Sequence, residues 1–370
     1  MEKCKCAIDL LWVRPKQVGG IESVARNLLD GFLLLNDDFE LWLLVSKDNA
    51  DSFKHYAKDL RFHIEVCDIR SANVGKRIIW QNIHFGKKVR SLGLNKCFEP
   101  YYCKPILGTR GVTFTTIIHD LQAIHYPEYF SKGKVAWMKF SWWNAIRTSK
   151  TVVAISEYVR NDILAQYKVR PEKVVTIYDP ITVDKNDVAD VSIIEDKYGI
   201  KKGEFFFTVS SLLPHKNVIT LLDVMKEIKD KEIDLPKNLI VSGVGGKSRE
   251  PLLERIQQLG LSDNVQLTPF IENDERNALY KYCKVFLFPS VFEGFGMPPI
   301  EAMLFETPVV TTRKTCLEEV TQGKANYVDD PYDISDWIRK IKMCSYISMD
   351  FSRFEITKIA REYLHELQRI

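Results

Sequence analysis

Residues 289–310 read "PSVFEGFGMPPIEAMLFETPVV" and place two carboxylates, Glu293 and Glu301, around Gly-Phe-Gly and a double proline. The apolar run "KVFLFPS" just before them is a buried strand by its pattern, so residues 291–301 emerge at the carboxyl edge of a parallel sheet. Open α/β sheets bind ligands at that edge. The glycines of "EGFG" let backbone approach a ligand closely. Pro298 and Pro299 suit the first helical positions, where a missing N–H costs no intrahelical bond. The N–H groups left around Gly296 and Met297 would face an anion, helped by the helix dipole. Glu301, in or just past the first turn, can accept two bonds from a vicinal diol such as a ribose. Glu293, on the preceding loop, can reach another part of the same ligand. A carboxylate near a helix start is also favoured electrostatically without any ligand.

The elements that must position these groups can be read from periodicity. The first half offers the strand runs "CAIDLLWV", "FELWLLVS", "FHIEVC", "TFTTIIHD", "TVVAIS" and "KVVTIY"; the second offers "EFFFTVS", "NLIVSG", "NVQLTP", "KVFLFPS" and "TPVVTT". Helix-like segments such as 21–34, 161–167 and 218–229 lie between them. Alternation of this kind predicts βαβ units and parallel sheets covered on both faces. About six strands in each half suit two doubly wound domains rather than one barrel, and 370 residues exceed what one core ordinarily holds. The polar stretch 180–204 places the seam, giving domains 1–185 and 186–345. Residues 346–370 end in a helix with apolar residues at helical spacing (Phe354, Ile359, Tyr363, Leu367), free to pack back on the first domain.

Other features bound the function. The eight cysteines lack the density or spacing of a disulfide framework or zinc site, which predicts reduced core thiols and a cytoplasmic protein. No apolar stretch reaches the roughly 20 residues of a spanning helix. The start reads as a first strand, not a signal peptide. "VSGVGGK" lacks the full GxGxxG and a following acidic residue, and reads as a tight turn after a strand. Residues 51–150 carry 17 Lys and Arg against 7 Asp and Glu, so the first half suits a negatively charged partner. Within it, residues 75–90 combine Lys76, Arg77, Lys87, Lys88 and Arg90 with Ile78, Ile79, Trp80 and Phe85. Residues 131–150 set Trp137, Trp142 and Trp143 beside Lys132, Lys134 and Lys139. Such interleaving suits the interface of an anionic membrane, and equally core-packed helices with solvated lysines. No nucleic-acid recognition motif is present.

Taken together and in order, these segments resemble family 4 retaining glycosyltransferases of the GT-B fold, two Rossmann-like domains facing a central cleft. The string from Glu293 to Glu301 looks like that family's E-x7-E signature. "QVGGIESVARNLLDGF" is similar to its Gly-Gly loop, "TTIIHDLQAIHYPEYF" to its His-Asp segment and "TVVAISEYVRNDI" to its serine-bearing turn. "FFFTVSSLLPHKN" is similar to its diphosphate-binding strand and loop, and the stretch from "SDNVQLTPF" to "KVFLFPS" to the one leading into the glutamates. The resemblance implies that Glu301 binds the nucleotide ribose and Glu293 the transferred sugar or the reacting region. It implies that Lys216 pairs with the diphosphate, assisted by the Gly20 and Met297 backbones, that Gly19, Ser211, His215, Gly294, Phe295 and Gly296 also line the nucleotide-sugar site, and that His119 lies beside the donor sugar. Three positions depart from the pattern: Ser211 stands where relatives carry arginine, Glu306 where glycine precedes Thr-Pro, and Asp179-Pro180 where Asn-Gly turns. His215 could make good the arginine's charge only with a raised pKa.

The expected activity is transfer of a hexose, of mannose, glucose or galactose type, from a nucleotide diphosphate sugar. The acceptor would be a glycan or lipid-linked glycan in cell-surface polysaccharide or lipopolysaccharide synthesis, at the cytoplasmic membrane face. No Asp-x-Asp follows an apolar run, so neither metal nor other cofactor is expected. A non-hydrolysing nucleotide-sugar epimerase, or a catalytically silent glycan-binding or scaffold subunit, could stand on the same architecture.

Overall fold

In the computed structural model, which describes residues 3–15, 19–245 and 249–369, the chain forms two compact units. The first comprises residues 1–182 and 352–370, the second residues 183–351.

The first unit is built on β1 (Cys4–Asp9), β2 (Phe39–Ser46), β3 (Phe62–Cys67), β4 (Lys96–Glu99), β5 (Thr113–Ile118), β6 (Thr151–Ala154) and β7 (Val174–Thr176). All pair in parallel, in the order β3-β2-β1-β4-β5-β6-β7. The order reverses between β1 and β4, which opens a crevice at their carboxyl ends. β1 stops at Asp9 although the apolar run continues to Val13. Leu10 to Val13 instead form a buried turn, because the Asn49 amide donates to the carbonyls of Leu10 (2.9 Å) and Val13 (2.8 Å). A buried loop survives only with its backbone groups satisfied in this way.

The second unit carries β8 (Phe205–Val209), β9 (Asn238–Ser242), β10 (Val265–Leu267), β11 (Val285–Phe288), β12 (Val309–Thr312) and β13 (Asn326–Val328). The order is β10-β9-β8-β11-β12-β13, again wholly parallel, with the switch between β8 and β11. Phe206, Leu239, Val241, Val285 and Leu287 of the strands pack with Leu221, Leu222, Met225 and Trp337 of the covering helices. Phe205, Phe207, Ile240 and Phe286, which alternate with these strand residues, are buried too, so the central strands of this half are covered on both faces.

The last helix, Ile356–Gln368, returns to the first unit and packs on the helix Gly20–Leu34. Gly31 permits that approach: a Cβ there would lie 2.9 Å from the Ala360 Cβ. Tyr363 packs toward Phe98 of β4 with ring centroids 5.4 Å apart. Residues 346–351 stay with the second unit. Gln322 explains this, since its side chain donates to the Asp350 carbonyl at 2.6 Å and accepts the Asp350 N–H at 3.1 Å.

Candidate functional site

In the second unit, β11 delivers its chain to the carboxyl edge and the loop through Gly296 comes next. Gly296 has φ 90°, a left-handed backbone that glycine adopts without penalty, and a Cβ there would meet Leu317 Cδ2 at 2.7 Å. The helix Met297–Leu304 begins at once, with Pro298 and Pro299 in its first turn. Two of the usual orphan N–H groups are therefore missing, and the remaining outward donors are those of Gly296 and Met297. Glu301, one turn further on, accepts a hydrogen bond from the Tyr280 hydroxyl at 2.8 Å. Burial, then the Glu301 charge, holds the Tyr280 phenol well above its ordinary pKa, so it stays a donor. One oxygen of Glu301 is thereby fixed, orienting the other.

Glu293 meets Lys216 at 2.6 Å, with both side chains largely buried. The fold brings them together in two steps. β8 and β11 are neighbours, with Phe206 opposite Val285, so their loops emerge side by side. The His215 carbonyl then accepts the Val291 N–H at 2.8 Å and the Ser290 hydroxyl at 3.2 Å, tying one loop to the other. Lys216 closes a short 3-10 turn, Pro214–Lys216, and Asn217 takes φ 51° to start the next helix. The Asn217 side chain anchors that turn, donating to the Pro331 carbonyl at 3.2 Å and accepting from the Thr220 hydroxyl at 2.8 Å.

His215 does not compensate for the missing arginine. Burial, with Lys216 beside it, pushes its imidazole down to about 4 against the weaker pull of Glu293. It is neutral at physiological pH, and its service to the site is the backbone carbonyl. Ser211 is exposed, and its carbonyl accepts from Leu213 N and the Ser210 hydroxyl inside the turn. Lys216 is thus the cation that this loop brings to the carboxylates. Glu306 takes φ 61°, the left-handed turn that glycine would take more cheaply. Gly243, after β9, has φ 87° and closes a tight turn against Ser210; Gly246 and Lys247 lie outside the described residues.

Sequence reasoning missed three residues. Tyr280 orients Glu301; Thr315 Oγ1 accepts the Glu293 N–H at 3.1 Å; the Cys316 thiol lies 3.3 Å from the Glu293 carbonyl and 3.0 Å from that of Phe295. Nothing in linear spacing flags them, because Tyr280 comes from the helix Asn273–Tyr282 and Thr315 and Cys316 from the loop after β12.

In the first unit, Gly19 has φ 71° and precedes the helix Gly20–Leu34, its carbonyl accepting the N–H of Glu22 at 3.0 Å. Space is open around it, so only its backbone conformation demands glycine. His119 follows β5. It is buried, and its Nε2 donates to the Pro100 carbonyl at 3.0 Å. A carbonyl can only accept, so Nε2 carries the proton and Nδ1 is left as the acceptor. Burial pushes this imidazole down to about 4, and it too is neutral. Asp179, at the replaced Asn-Gly turn, is buried and its carboxyl is pushed up to about 8.

The basic segments divide. Phe85, Arg77 and Trp142 are buried, and Lys88 pairs with Glu65. Lys76, Ile79, Ile83, Lys87, Lys132, Lys134, Lys139, Phe140 and Trp143 remain exposed. No described helix is long and apolar enough to cross a membrane.

Two doubly wound parallel-sheet units, one with a glycine turn and two carboxylates at its switch point, have the architecture of the GT-B fold. The sequence pattern of "Glycosyltransferase Family 4" matches residues 18–185, and that of "Glycosyl transferases group 1" matches residues 190–345. The chain belongs to the family 4 glycosyltransferases. O-antigen chain mannosyltransferase RfbU of Salmonella typhimurium is 30% identical over 250 residues, 68% of this chain and 65% of that protein. O-antigen chain mannosyltransferase B of Escherichia coli is 26% identical over 221 residues, 59% of this chain and 58% of that protein. The chain thus matches less than two thirds of either relative's length. The crystal structure of HepE from Anabaena, in complex with UDP and glucose, superposes with a TM-score of 0.74 at 18% identity, covering 99% of this chain and all of that one.

Proposed function

We propose that this chain is a retaining hexosyltransferase that uses a nucleoside diphosphate sugar to extend a glycan or lipid-linked glycan of a cell-surface polysaccharide or lipopolysaccharide. The observation that carries the reading is the pairing of Lys216 with Glu293 beside the Gly296 turn, one helical turn from the Tyr280-oriented Glu301. Glu301 offers its second oxygen to the ribose hydroxyls. The N–H groups of Gly296 and Met297 and the Lys216 ammonium receive the diphosphate. As the glycosyl–phosphate bond breaks, charge grows on that diphosphate, and preorganised donors stabilise it more than they stabilise the ground state. The departing phosphate oxygen takes the proton of the acceptor hydroxyl on the same face, which retains the anomeric configuration. On the first unit, neutral His119 keeps an acceptor nitrogen available for a hydroxyl ligand. The Lys216 ammonium and the N–H groups of Gly296 and Met297 together offset the diphosphate charge, and no divalent ion is expected to be required.

The relatives named as O-antigen mannosyltransferases favour mannose among hexoses, and the neighbour solved with UDP and glucose favours a nucleotide donor. The exposed Ile79, Ile83, Phe140 and Trp143, set among lysines, fit an anionic bilayer surface where a lipid-linked acceptor is presented on the cytoplasmic side. The test is incubation with GDP-mannose, UDP-glucose and UDP-galactose, with and without undecaprenyl-linked glycans, in the presence and absence of EDTA. Acceptor-dependent transfer with retained configuration, unaffected by EDTA, is the expected result. Interconversion of the donor sugar without acceptor would make the protein an epimerase. No reaction and no nucleotide binding would make it a scaffold.

A further inference from the structure

We propose that Thr315 is a positioning residue for the Glu293 carboxylate, its hydroxyl holding the backbone from which that carboxylate projects. The inference rests on the reading of Glu293 as a group that meets the transferred sugar.

Three consecutive residues after β12 grip the Glu293 loop. Thr315 Oγ1 accepts the Glu293 N–H at 3.1 Å while donating to the Lys314 carbonyl at 2.8 Å, so its proton and one of its lone pairs are committed. The Cys316 thiol reaches the carbonyls of Glu293 and Phe295, and Leu317 lies against Gly296. β11 and β12 are paired neighbours, which places the two loops side by side at the carboxyl edge.

The backbone of Thr315 supplies the independent observation. Its φ is 56°, in the left-handed region, and it is β-branched, the side-chain class for which that region is most costly. Strain of this kind persists where the surroundings over-determine a residue, and it gathers at functional sites. Glycine would relieve it but brings no hydroxyl. What the strain secures is an oxygen under the Glu293 N–H, with the carboxylate facing Lys216 at 2.6 Å.

Four proteins decide the matter: wild type, Thr315→Ser, Thr315→Ala and Thr315→Gly. Transfer kinetics, amide hydrogen exchange at Glu293 and thermal stability are read for each. Thr315→Ser is expected to keep kcat within about twofold of wild type, because it restores the hydroxyl. The alanine and glycine variants are expected to lose about tenfold or more in kcat, with the donor KM changed far less. Their Glu293 amide should exchange about tenfold faster, while the serine variant stays protected. Thr315→Gly should melt at or above Thr315→Ala, since it sheds the left-handed penalty while losing the same hydroxyl. Full kcat in the alanine and glycine variants, or equal losses in the serine variant, would overturn the proposal. Absence of transfer by wild type would contradict the proposed function alone. The exchange rates then decide: protection that tracks the hydroxyl upholds the positioning role, and equal rates in all four overturn it.

Discussion

Lys216 and Glu293 neutralise each other at 2.6 Å, so a bound diphosphate must compete with a carboxylate for the same ammonium. Lys216→Ala removes the cation proposed to stabilise the leaving group and is expected to cut kcat by about 100-fold or more. It also leaves the largely buried Glu293 carboxylate without its partner, which should cost about 1–3 kcal/mol of stability. Steady-state kinetics and a urea titration on one preparation separate the two effects. The histidines give a pH dependence with a definite sign. Both are pushed down to about 4 from 6.5, so between those values the unfolded chain binds protons that the folded one refuses. Their contribution to stability is complete above about 6.5 and drains away as the pH falls toward 4. Asp179 acts the other way: its folded carboxyl keeps a proton up to about 8, so its contribution falls as pH rises from 3.8 to 8. Urea midpoints across pH 4 to 8 should show both limbs, and Asp179→Asn should remove the fall on the alkaline side. At this scale the two glutamates, Lys216 and the Gly296 turn were legible, because glycine, proline and carboxylate types carry their chemistry in linear order. The protonation state of His215 was not, since it depends on burial supplied by residues distant in sequence. Tyr280 and Thr315 were hidden for the same reason.

Among elements, the close contact of the helix Gly20–Leu34 with the helix Ile356–Gln368 carries the sharpest expectation. A Cβ at Gly31 meets Ala360 Cβ and Ile356 Cγ1 at 2.9 Å and the Ile356 carbonyl at 3.0 Å. Gly31→Val should destabilise the protein by about 1–3 kcal/mol through overpacking. A lowered urea midpoint, with earlier proteolytic cutting near residue 352, would show it. Eleven strand runs stood out in the sequence by their β-branched and aromatic content. β4 (Lys96–Glu99) and β13 (Asn326–Val328) did not. β4 is four residues, "KCFE", with one aromatic and a proline following, yet it lies centrally between β1 and β5. β13 is three residues at a sheet edge, too short for any period to register. Their assignment to strands comes from partners in the sheet, which no local window contains.

For the whole molecule, alternation of strand and helix revealed two doubly wound units, because buried parallel strands read as continuous apolar runs. The basic excess of residues 51–150 was equally plain, but which of its side chains face water was not: Trp142 is core while Trp143 is exposed. The central claim is that the second unit binds a nucleotide through Glu301 and the Gly296 turn. Thermal unfolding of wild type and Glu301→Ala with UDP, GDP, ADP and CMP tests it most directly. A nucleotide at 100 times its dissociation constant adds about 2.7 kcal/mol to stability. One nucleotide should raise the wild-type melting temperature clearly and that of the variant much less. Equal shifts in both proteins, or none with any nucleotide, would contradict the account.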